Sequence, residues 1–153
     1  MNDTFTDEQM RMFLLGTAER TDLDLWTTSV AKMSGPRQIF VLIWELESEV
    51  CNGGFWQYAY NGSGEGAPFV LRALKAIKAN ATFEIVSEAL EIIGNKPWHD
   101  WDARQAAIEA MDQESRDKLE PLDQRFFAYE DNLSALLFQY IVDNIGAFPP
   151  PKS

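Results

Sequence analysis

The chain has 153 residues, 46% of them hydrophobic, with ten Phe, five Trp and a formal net charge of −11. That length suits one domain around one core, and that hydrophobic content excludes a disordered chain. Twenty-four Asp and Glu against thirteen Lys and Arg argue against direct binding of nucleic acid or anionic lipid, which calls for a basic footprint.

The sequence opens M-N-D-T-F-T-D-E, acidic where a signal peptide would be basic. The longest apolar run, Ile39–Trp44, falls far short of the roughly 20 residues of a membrane helix. Cys51 is the sole cysteine, so no internal disulfide can form. These features predict a cytoplasmic protein with no membrane partner.

Thr6-Asp7-Glu8-Gln9 has the form of a capping box, predicting a short first helix with Met10, Phe13 and Leu14 on one side. Thr21 or Asp22 is expected to start a second helix burying Leu25, Trp26, Val30 and Met33, which Ser34-Gly35-Pro36 ends. The next helix, Pro36–Cys51, aligns Ile39, Ile43, Leu46 and Val50; Phe40 and Trp44 widen that row, as expected of a central helix. Asn52 is expected to cap a short helix from Gly53 to Tyr60, closed by Asn61-Gly62-Ser63-Gly64.

Pro68 marks the first turn of a basic helix that buries Val70, Leu74 and Ile77 and exposes Arg72, Lys75 and Lys78. Ala81–Ile93 is amphipathic, with Phe83, Val86, Leu90 and Ile93 inward and Glu84, Glu88 and Glu91 outward. Gly94, Asn95 and Pro97 stop it. Asp100 can cap a helix running to Met111; a polar helix or turn follows over Gln113–Glu120, then a short helix with Leu122, Phe126 and Phe127. The last helix, Asp131–Ile145, buries Leu133, Leu137, Tyr140 and Ile141. No segment reads as a strand, so the expectation over residues 1–153 is an all-α fold, a single compact domain of about eight helices.

Candidate chemistry is sparse. Cys51 and His99 are the only thiol and imidazole, and nothing in the sequence brings them within the reach a Cys–His nucleophile needs. Glu45 and Glu49 have the i, i+4 spacing of di-iron bundles, without the Glu-x-x-His motif of such sites. Asn52-Gly53-Gly54 and Gly62-x-Gly64-x-Gly66 lack the further residues of phosphate cradles, so close packing and a tight turn are expected of them. No cofactor, metal or catalytic residue is assigned, and the expectation is that the protein is not an enzyme. Glu49 is expected to turn inward and accept backbone N–H groups of the Asn52–Phe55 break.

The acidic rows are the remaining candidates. Glu84, Glu88 and Glu91 share one helix face; Glu109 and Asp112, then Glu114, Asp117 and Glu120, repeat the spacing. Residues 98–153 carry eleven acidic and five basic side chains, more than half of the net charge. Such rows either solvate the surface or present charge to a basic protein.

The stretch E-S-E-V-C-N-G-G-F-W-Q-Y-A-Y-N-G-S-G, Glu47–Gly64, resembles the signature of the bacterial DNA-mimic protein family. The matching positions are Glu47, Glu49, Val50, Asn52, Gly53, Gly54, Phe55, Gln57, Tyr58, Asn61, Ser63 and Gly64. L-D-Q-R-F-F-A-Y-E-D-N-L, Leu122–Leu133, is a second match. Together they imply a family-like region over about residues 20–148. The resemblance implies an acidic, dimeric, all-helical protein that imitates duplex DNA and occupies a transcription factor or nucleoid protein. The partner-binding candidates are then Glu84, Glu88, Glu91, Asp100, Asp102, Glu109, Asp112, Glu114, Asp117 and Glu120. Glu49, Asn52, Gly53, Gly54, Phe55, Gln57 and Tyr58 form the structural motif. Two other classes stay open: a small-molecule or enzymatic pocket around Trp44–Tyr60, and an immunity or antitoxin-like protein that binds a basic toxin.

Overall fold

The structure, a computed structural model, describes residues 6–25 and 29–148, with side chains over 6–19 and 29–148. Among the described residues it holds seven α-helices and no strand: α1 (Asp7–Leu25), α2 (Gly35–Tyr60), α3 (Ala67–Ala76), α4 (Asn80–Ile93), α5 (Trp101–Glu109), α6 (Gln113–Phe127) and α7 (Leu133–Asp143). Short 3-10 turns lie at Val30–Lys32, Gly62–Gly66 and Ile145–Ala147. The fold is all-α, a single domain, as the periodicity predicts.

Helix α2 is the axis. It packs against α3, α5, α6 and the 62–66 turn, with α1 and α7 at its edge; outside it, α3 lies on α4, α4 on α6 and α1 on α7. Its first half buries Phe40, Leu42, Ile43, Leu46 and Val50, and its second Phe55, Tyr58 and Ala59. Pro36 sits in the first turn, where a missing N–H costs nothing. The predicted helices Pro36–Cys51 and Gly53–Tyr60 are the two arms of α2 and meet at a kink where Gly53 and Gly54 leave helical space, as the Gly-Gly break leads one to expect. Gly54 has φ +77°, and a Cβ on it would stand 2.5 Å from Asp123 Oδ2. Neither the backbone nor the space admits a side chain there.

The capping box closes as expected: Gln9 N donates to Thr6 Oγ1 at 3.1 Å, and Thr6 N to Gln9 Oε1 at 2.8 Å. Helix α1 then runs through Thr21 and Asp22 to Leu25, without the predicted second start. Thr and Asp favour helix ends but do not by themselves stop a helix. The expected burial of Leu25 and Trp26 lies outside the described side chains, while Val30 is buried and Met33 half-buried. The two short segments predicted over 113–127 are the single helix α6, with Pro121 inside it. The proline forfeits one bond, to the Asp117 carbonyl, on the exposed side, where solvent can replace it. Leu119, Leu122 and Phe126 are buried on the other side. Helix α7 starts two residues later than predicted, capped by Asn132 at Ala135 N; Asp131 instead accepts Thr82 N–H at 2.7 Å, in the first turn of α4.

Candidate interaction surface and the frame beneath it

The bend in α2 is held from α6. Phe55 N–H, just past the two glycines, donates to Asp123 Oδ1 at 2.9 Å. This corrects the expectation for Glu49, whose Oε2 accepts the side-chain amides of Gln57 at 2.8 Å and Asn61 at 2.9 Å. Asp123 takes the backbone group because it enters opposite Gly54, in the space a Cβ would fill. Burial raises the Asp123 carboxyl above its ordinary pKa; the Phe55 N–H opposes that shift and the Glu120 charge adds to it. Asn52 is exposed at the bend.

The two sequence motifs therefore meet. The Phe55 ring stands edge-on to Phe126, 5.8 Å between centroids. The Tyr129 hydroxyl donates to Glu47 Oε2 at 2.7 Å and lies 3.0 Å from Cys51 Sγ. Burial first, then the bonds to Cys51 and Glu47, push this phenol well above its ordinary pKa. Cys51 is thus engaged with Tyr129, whereas His99 lies in the wall of a cavity of about 410 Å³ with Phe69, Lys96 and Trp98.

Sequence reasoning missed Arg104. Its side chain is 2% exposed, with Nη1 donating to the Trp98 carbonyl and Nη2 to the Asn61 carbonyl at 2.8 Å. Trp101 covers it, 5.3 Å from ring centroid to Cζ. A Cβ at Gly64 would stand 2.9 Å from Nε and 2.5 Å from the Ala59 carbonyl oxygen. The glycine-rich loop that superficially suggests a phosphate cradle wraps a guanidinium of its own chain. Burial lowers the Arg104 pKa below the ordinary arginine value, and Glu65 works against that shift. Nε finds no hydrogen-bond partner among the described residues. The only signal in the sequence was a lone cation in a helix otherwise free of Lys and Arg.

The aromatic residues considered for a pocket largely pack on protein. Phe55 and Tyr58 are buried in the core. Trp56 stacks on Tyr60 at 4.8 Å, with Arg116 over the Trp56 ring at 4.7 Å. Tyr60 donates to Glu109 Oε1 at 2.6 Å, a bond that raises the phenol pKa. Two described cavities of about 400 Å³ are lined by other residues than these aromatics: the one beside His99, and one formed by Glu47 of the Trp44–Tyr60 stretch with Tyr129, Asn132, Leu133 and Ser134.

All ten carboxylates of the acidic rows are exposed. Two also act as N-caps: Asp100 accepts Ala103 N–H at 3.1 Å, and Asp112 accepts Ser115 N–H at 2.7 Å, which holds the Asp112 carboxyl below its ordinary pKa. Glu88 reaches Arg125 at 3.4 Å, linking α4 to α6, and Glu114 reaches Lys118 at 3.6 Å. Asp117 and Glu120 accept from the amides of Gln113 and Gln124. Helix α4 contains no Lys or Arg, and the one cation of α5 is the buried Arg104. On α3, Arg72 donates to Gln38 at 2.8 Å, and Lys75 lies 5.8 Å from the Phe83 ring of the adjacent α4.

Fold and surface together define an acidic all-α domain whose bent central helix is clamped by α6 and whose loop encloses an arginine. The family model described as DMP19-like protein matches residues 31–144. The chain belongs to this DNA-mimic family, and the match spans both motifs. Comparisons with the curated proteins and with the solved structures give no match. Among the described residues no helix is long and apolar enough to cross a membrane.

Proposed function

We propose that the protein is a non-enzymatic acidic binding partner that occupies the DNA-binding surface of a basic transcription factor or nucleoid protein. The observation that carries this reading is the charge on α4 and α5. Every ionised side chain these helices expose is a carboxylate: Glu84, Glu88, Glu91, Asp102 and Glu109, with Asp100 at the α5 N-cap. Family membership supports it. Helix α6 contributes an outer row of Asp117 and Glu120, while Lys118 and Arg125 lie toward another flank of the helix. Basic surfaces that grip a phosphate backbone are attracted to such a field, and the attraction weakens with salt.

The test is competition. A labelled DNA duplex is bound to each of a panel of purified nucleoid proteins and repressors from the source bacterium, and this protein is titrated in. Displacement at low salt that fades steeply as salt rises is the expected result. Displacement of none of them, or an affinity indifferent to salt, rejects the proposal. The double variant Asp117→Lys, Glu120→Lys should bind more weakly at an unchanged melting temperature, since neither residue caps a helix.

A further inference from the structure

We infer that Trp101 is the apolar anchor of the partner contact, seated among the carboxylates of α5 and recognising the aliphatic stems of lysine and arginine on a basic protein. This rests on the proposed function and adds a residue that sets specificity. Trp101 is 51% exposed, a large apolar surface in an otherwise acidic setting. Isolated exposed hydrophobics are ordinary, but the surroundings of this one are specific. Its ring is fixed from beneath by the Arg104 guanidinium, and a Cβ at Gly62 would stand only 3.3 Å from its Cζ3. The indole is therefore held in place before any partner arrives, so little side-chain freedom remains to be lost on binding.

The occupant follows from charge complementarity. Asp100 and Asp102 flank Trp101 in sequence, Glu109 lies two helical turns beyond Asp102 on the Asp102 side of the helix, and no cation is exposed on α5. A basic side chain placed here can lay its methylene stem on the indole and direct its charged head to a carboxylate, the arrangement long cationic side chains favour on apolar surfaces. Arg104 already faces one side of the ring, so area burial, not a second cation over the same π system, is the main contribution of Trp101. Tryptophan in such a setting is a common centre of interface energetics.

The test separates this inference from the reading beneath it. Kinetics of binding to the DNA-binding protein displaced most readily are measured across a salt series for wild type, Trp101→Ala, Trp101→Phe and the Asp117→Lys, Glu120→Lys variant. Trp101→Ala should weaken affinity by about 10-fold or more, mainly through faster dissociation, with the salt slope unchanged. Trp101→Phe, which keeps a ring over Arg104 should Trp101→Ala fail to fold, should lose less than Trp101→Ala but still bind measurably more weakly than wild type. The charge variant should reduce the salt slope instead. Tryptophan variants that bind like wild type, while the charge variant weakens binding, overturn the inference alone. Wild type that binds none of the panel overturns both.

Discussion

Asp123 accepts the backbone N–H of Phe55 at 2.9 Å, across 68 positions of sequence, at the bend where Gly53 and Gly54 interrupt the central helix. The bond explains why a carboxylate and a pair of glycines occur in two distant motifs. Removing it leaves an amide without its partner, so Asp123→Ala should cost about 1–3 kcal/mol. At this chain length that is a fall of about 2–4 °C in Tm per kcal/mol, read by urea or thermal denaturation. Asp123→Asn keeps an acceptor and should cost less.

Two carboxylates should give opposite pH dependences. The folded pKa of Asp123 is raised, so its contribution is fully present below the unfolded carboxylate pKa and is lost as pH rises through the folded value. The folded pKa of Asp112 is lowered, so its contribution is present above the unfolded pKa and is lost as pH falls through the folded value. Urea titrations over the acid range should show wild type losing ground to Asp123→Asn as pH rises, and to Asp112→Asn as pH falls.

Gly54→Ala and Gly35→Ala form a matched pair. Both glycines have positive φ, but nothing lies within 4 Å of a Cβ at Gly35, whereas one at Gly54 meets Asp123. Gly35→Ala should cost about 1–2 kcal/mol of backbone strain. Gly54→Ala, in a region of backbone space nearly confined to glycine, should cost about 3 kcal/mol or more. Equal losses on chemical denaturation would refute the contact at Gly54.

Arg104→Met should destabilise the domain by about 3 kcal/mol, because the carbonyls of Trp98 and Asn61 lose charge-assisted bonds. Arg104→Lys should not restore the stability, since one ammonium cannot reproduce the planar fork. Denaturation midpoints of the two variants check both statements.

Among the exposed carboxylates, Asp100→Ala and Asp112→Ala should lower the melting temperature, since each removes a cap. Asp102→Ala, in the first turn of α5 but accepting no capping bond, should lower it less than either. Studies of binding are therefore cleaner at Asp102, Asp117 and Glu120 than at the two caps.

What the sequence made legible was local. Thr6 with Gln9, Pro36, Pro68 and the Asp100 cap act within a turn of helix, where spacing alone decides the bond. The exposed faces of α4 and α6 followed from periodicity. The expected division of 113–127 into two segments does not occur, because a helix bearing enough buried apolar surface tolerates Pro121 and one lost bond on its solvent side. Glu49 was assigned the bond made by Asp123, since only the packing of α6 against α2 brings that carboxylate to the break. Arg104 escaped notice for a similar reason: its acceptors are carbonyls, one of them 43 residues away, and any sequence supplies carbonyls everywhere.

The bent end of α2 touches two of the carboxylate-bearing helices, α5 and α6, at once. Tyr60 and Asn61 meet Glu109 and Arg104 of α5, while Phe55 meets Asp123 of α6. A substitution in the family motif would thus shift two carboxylate arrays relative to one another without altering a single exposed charge. A binding-defective variant found there would report the spacing of the arrays, and its defect should be repaired by restoring the bend.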